Sequence, residues 1–184
     1  MRPRFTRLWL ALVRTKASAA CSSPTPRPRP KKFIFLIAAL ATTLASGAFA
    51  EDEDPFADAV EMRHGLMLQM ATDLCKVGAM AKGDVAYDQA AATRAAANIA
   101  AIASVLSMDQ WPAGSKYKAS ADSYALPAIW ATQDDFLTKI ADLNTAAAAF
   151  QVAAATDVEA LKAGMGGLGG ACSACHKAYR QPEE

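Results

Sequence analysis

Two cysteines three positions apart, with a histidine directly after the second, stand near the end of the 184-residue chain: Cys172-Ser173-Ala174-Cys175-His176. On one helical turn the two thiols lie on neighbouring points, where each can add to a vinyl group of a haem as a thioether. The imidazole at the next position then falls beneath the iron and becomes a ligand fixed by its covalent neighbours. The spacing therefore predicts one covalently attached haem c, with Cys172 and Cys175 as attachment points and His176 as an iron ligand. A dithiol redox centre would expect a preceding strand in a mixed fold, and a zinc site would need a second ligand pair. The sequence offers neither context. Outside the first fifty residues Cys75 is the one other thiol and His64 the one other imidazole. Cys75 is most simply a small buried hydrophobe, with an intermolecular disulfide as the other reading. A nucleophile-base pair, a Gly-rich phosphate loop and a His-carboxylate cluster are all missing, so the expectation is a protein without catalysis of its own.

The elements that must position these groups read as helices. Asp54-Pro55 has the form of a helix start, and a first helix to about residue 81 carries the apolar stripe Val60, Met67, Met70, Leu74, Val77 and Ala81, with Arg63 on the same face. Lys82-Gly83-Asp84 breaks it, and Asp88 can cap a second helix to about Met108. Residues 109–126 have Pro112, Gly114 and several Ser and Lys without a period, and read as one long loop. Pro127 begins a third helix bearing Ile129, Trp130, Phe136, Ile140, Leu143 and Phe150. Thr156 with Glu159 has capping-box spacing and opens a fourth helix that runs into Tyr179 and Arg180. The fold class is all-α, an antiparallel four-helix bundle. Five glycines between Gly164 and Gly170 cost the fourth helix about 1 kcal/mol each against Ala. A haem packed against bare backbone would compensate; a frayed or broken helix is the other reading.

Composition sets further bounds. Residues 1–50 hold nine Lys and Arg and no acid, leaving ten cations and all eighteen acids for 51–184, a net −8. That charge argues against a nucleic-acid-binding surface and favours a solvated body that could meet a basic partner. Lys31 and Lys32 precede an apolar run, Phe33 to Leu44, and Ala48-Phe49-Ala50 ends it with the small-x-small pattern of a cleavage site. The run falls short of the ~20 residues that span a bilayer. The expectation is therefore a leader over 1–50, removed after Ala50, and a periplasmic domain over 51–184 with no membrane attachment. The Arg- and Pro-rich start, residues 1–30, reads either as a long basic n-region or as an over-long start.

The stretches "GGACSACHKAYR", "GAMAKGDVAYD" and "ALPAIWATQDDF" resemble the cytochrome c prime family across nearly all of 55–181. The resemblance implies a four-helix bundle with haem near the C-terminus of the last helix. In that family an Arg near the start of the first helix lies close to a haem propionate, and the residue four positions later faces the distal side of the iron. On this sequence they fall on Arg63 and Met67, which i, i+4 spacing puts on one face. Members with Leu at the distal position are five-coordinate, high-spin and bind nitric oxide or carbon monoxide; members with Met are six-coordinate, low-spin electron carriers, as this chain would be. A thioether favours ferrous iron and raises the potential. Met70, one turn on, is the rival ligand, and His64 points about 60° away from Met67. The family places a basic residue near the proximal ligand, here Arg180, which could orient the imidazole, partner a propionate or simply favour a helix C-terminus. Family members commonly dimerise through their first two helices, so a homodimer is expected alongside redox partner proteins. The implied activity is one-electron transfer; the alternative is gas binding at an open iron.

Overall fold

The computed structural model describes residues 54–120 and 122–182. The expected leader and its cleavage point after Ala50 lie outside them. Among the described residues the elements are α1 (Ala57–Lys82), α2 (Gln89–Val105), a 3-10 turn (Met108–Gln110), the single-turn α3 (Ala128–Ala131), α4 (Gln133–Thr156) and α5 (Val158–Tyr179).

The four long helices run up and down in an antiparallel bundle, and the cross-helix contacts fix the order. Asn98 of α2 donates to Asp73 of α1 at 3.1 Å. Early α2 meets late α4 where Gln89 donates to the Ala155 carbonyl, and late α2 meets mid α4 where Asn144 donates to the Ala103 carbonyl at 3.1 Å. At one end of the α4–α5 pair the Phe136 and Tyr179 rings pack edge to face, 5.1 Å apart. At the other, Gly164 lies against Ala153 and Phe150. Ile99, Ile129, Phe136, Ala147, Phe150, Leu161 and Leu168 fill the space between.

Local chemistry explains the boundaries. Gly83 takes a left-handed φ of 77° and its N–H returns to the Met80 carbonyl, ending α1 as the sequence predicts. Asp88 caps α2 through the Ala91 N–H at 3.0 Å. At the start of α1, Asp54 accepts instead from Phe56 within a preceding turn, so the helix begins two residues later than Pro55 suggests. α2 ends at Val105 rather than Met108, because Ser107 and Gln110 close a capping box that starts the 3-10 turn. The expected third helix is two, broken at Thr132, whose hydroxyl accepts or donates a 3.0 Å hydrogen bond with the Tyr179 phenol and also bonds the Ala128 carbonyl. Asp157, not Thr156, caps α5 by accepting from the Ala160 N–H at 2.8 Å. The carboxylate at the junction takes the cap and Thr156 closes α4 by bonding back to Val152.

The α1 stripe also differs. Val60, Met70 and Val77 are buried as expected, and Arg63 with them, but Met67, Leu74 and Ala81 are half-buried, and Asp73 and Met80 take buried places instead. Asp73 is 0% exposed and is compensated by Gln69, Lys76 and Asn98, all donating to its carboxylate.

Candidate haem site

α5 continues without a break through its five glycines to Tyr179, so the reading of a frayed helix does not hold. Gly164 has a packing reason: a Cβ there would stand 3.0 Å from the Ala153 Cβ and 3.1 Å from the Phe150 ring. Gly166, Gly167, Gly169 and Gly170 have no such reason, since a Cβ added at any of them would meet no atom within 4 Å.

One turn beyond these glycines, Cys172 and Cys175 are half-buried free thiols against the edge of the core. Burial raises the Cys172 thiol, and burial followed by the neighbouring Cys172 pushes Cys175 up to about 11. A thiol-disulfide catalyst needs the opposite, a depressed pKa that supplies thiolate. Among the described residues no three His, Cys, Asp or Glu side chains gather as a metal cage. Cys75, the third described cysteine, is half-buried on α1. His176 presents much of its surface to solvent, yet the protein crowded round the ring and then the Arg180 charge hold its pKa below the usual value. The neutral imidazole, the form that ligates iron, is thereby favoured. Two reduced thiols at i, i+3, a neutral imidazole next to them and a bare stretch of helix together fit a covalently held haem.

The opposite wall follows from helix register. Gly78 of α1 faces Met165 of α5, with 3.9 Å between a Cβ built at Gly78 and the Met165 Cε. Met67 lies eleven residues before Gly78, and His176 eleven after Met165. In antiparallel helices rising 1.5 Å per residue, both therefore sit about 16 Å along the bundle at the same level. Of the α1 methionines, Met62 is exposed and Met70 and Met80 are sealed in the core. Met67 alone is half-buried, packed at the core's edge.

Arg63, expected beside a propionate, is turned to the long loop. It is 4% exposed, and its terminal nitrogens are committed to the long loop: Nη1 donates to the Gln110 carbonyl and Ser115 Oγ, Nη2 to the Ser115 carbonyl and Ser123 Oγ, at 2.7–3.1 Å. These use four of the five guanidinium donors, so a bidentate grip on a propionate through both terminal nitrogens would require some of these bonds to be given up. Arg180 lies with its guanidinium 5.5 Å from the Tyr124 ring centroid, and its backbone N–H closes α5 on the His176 carbonyl. His64 is exposed, 6.4 Å from the same Tyr124 ring. The two serines were not visible as site residues, because no spacing rule connects a Ser-rich loop to a cation about fifty residues earlier.

An all-helical bundle with a C-x-x-C-H run on its last helix defines a c-type haem protein. A family model described as Cytochrome C′ matches residues 58–180, and the chain belongs to that family, carrying one covalent haem c. Cytochrome c-554 of Cereibacter sphaeroides is similar to it, 46% identical over 150 residues, covering 80% of this chain and 98% of the relative. The solved cytochrome c′ of Rhodobacter spheriodes overlays with a TM-score of 0.66 at 30% identity, covering 70% of this chain and 98% of that one. Another solved cytochrome c′, described as having a ligand-controlled dimer dissociation, overlays at 0.64 with 26% identity, covering 69% and 97%.

Proposed function

We propose that this chain is an exported single-electron carrier, its haem iron held between His176 and Met67. Haem c, when bound, supplies the ferric/ferrous couple. Cys172 and Cys175 hold the ring to α5, His176 offers a neutral imidazole, and Met67 offers a neutral sulfur that favours the ferrous state and closes the distal side to small molecules. The observation that carries this reading is the position of Met67, level with His176 and neither sealed in the core nor turned to solvent. Among the described residues no helix is long and apolar enough to cross a membrane; the periplasmic location rests on the leader pattern in the sequence.

A second reading is a gas-binding protein with an open or readily opened iron. The relative whose dimer dissociation is controlled by a ligand favours it, and also supports a homodimer here. The optical spectrum with and without carbon monoxide separates the two. A low-spin spectrum with the Met-to-ferric charge-transfer band and little response to carbon monoxide is expected, and Met67→Leu should turn it high-spin and reactive. An unchanged spectrum in Met67→Leu would remove Met67 as ligand, and a high-spin parent protein would favour gas binding.

A further inference from the structure

The two helices that bracket the haem level, α1 with Met67 and α5 with His176, are strapped together at that end by the loop between the 3-10 turn and α3. On the α1 side, Ser115 and Ser123 hold Arg63, one turn from Met67. On the α5 side, the Leu126 N–H donates to the Tyr179 carbonyl at 2.9 Å, the Gln181 N–H donates to the Tyr124 carbonyl at 2.8 Å, and Arg180 lies over the Tyr124 ring. Ser123 is the junction. Its hydroxyl accepts from Arg63 and donates to the Ser115 carbonyl, both at 2.7 Å, while the next residue, Tyr124, is tied to the tail of α5. Ser115 and Ser123 are both buried, so water does not substitute for either.

We infer that Ser115 and Ser123 are positioning residues for the distal ligand: by clamping Arg63 they set the separation of α1 from α5, and so hold Met67 within reach of the iron. The inference rests on Met67 being the distal ligand. It assigns the loop a part in coordination without any contact to the haem. A guanidinium that loses one clamp hydroxyl leaves an N–H unsatisfied in a dry site, and the cheapest relief is for α1 and the loop to part.

The test uses the haem-loaded protein well below its unfolding temperature, with Ser123→Ala, Ser115→Ala/Ser123→Ala, and Ser123→Thr, which keeps a hydroxyl. The readouts are the Met-to-ferric charge-transfer band and the rate of carbon monoxide binding to the ferrous form. The expected result is a weakened band and carbon monoxide binding at least tenfold faster in the Ala variants, both restored in Ser123→Thr. An intact band and unchanged binding in folded Ser123→Ala, in a protein whose Met67→Leu variant does become reactive, would overturn the inference while leaving Met67 in place. If Met67→Leu itself changes nothing, the ligand assignment fails and this inference with it. Should the double variant not fold, Ser123→Ala against Ser123→Thr decides.

Discussion

Asp73 shows how a single side chain can be costly to bury and yet stabilising. Three donors converge on its carboxylate, one of them Lys76, whose own side chain is 54% exposed. Burial alone would raise its pKa, but the hydrogen bonds from Lys76, Gln69 and Asn98 together bring it below the ordinary carboxylate value. The sign of the pH effect follows. A depressed folded pKa gives stability that is fully present above the unfolded value and is lost as pH falls through the folded one. Acid should therefore cost the native protein stability below the usual carboxylate range. Asp73→Asn should be less stable near neutral pH by about 1–3 kcal/mol, because the amide meets donors with a donor. The gap should narrow as pH drops towards 3, measured by denaturant midpoints across pH; parallel acid limbs for the two proteins would show that Asp73 does not contribute this linkage.

At the scale of elements, α5 carries two opposing demands. Its glycines weaken the helix, and one of them brings it close to α4. Gly164→Ala should gain about 1 kcal/mol in helix propensity but force a methyl to within 3.0 Å of Ala153 and 3.1 Å of a Phe150 ring that is itself enclosed. Overpacking costs about 1–3 kcal/mol, so the net expectation is a loss of up to about 2 kcal/mol in unfolding free energy; a gain would mean that Phe150 can swing aside. The same helix shows what a sequence exposes and what it hides. Cys172, Cys175 and His176 were legible because their chemistry is local: three residues on one turn carry the whole signal. The helices were legible through the period of Phe136, Ile140, Leu143 and Phe150, and Gly83 and Asp88 marked their ends through backbone chemistry. Asp73 and the Ser115–Ser123 clamp were hidden because each is a long-range pairing of polar groups, and polarity alone reads as surface. The break at Thr132 was hidden for a related reason, since its partner, Tyr179, comes from another helix.

For the whole molecule, two charge distributions compete. With residues 1–50 removed on export, as proposed, 51–184 carry a net −8, while Lys116, Lys118, Lys177 and Arg180 lie on the loop and the α5 tail around the haem motif. At low ionic strength the Debye length is about 30 Å at 0.01 M, long enough for an approaching reagent to feel the net charge before any local cluster. The net charge should then set the encounter rate. Oxidation of the ferrous protein by a cationic reagent such as tris(phenanthroline)cobalt(III) should slow as salt is added, and oxidation by ferricyanide should speed up. If ferricyanide also slows with salt, the local cations govern approach to the haem, and the physiological partner should be sought among proteins with an acidic docking surface rather than a basic one. Repeating the ferricyanide series on Lys118→Glu separates the two sources. A response governed by net charge keeps its sign in that variant, whereas one governed by the loop loses or reverses it.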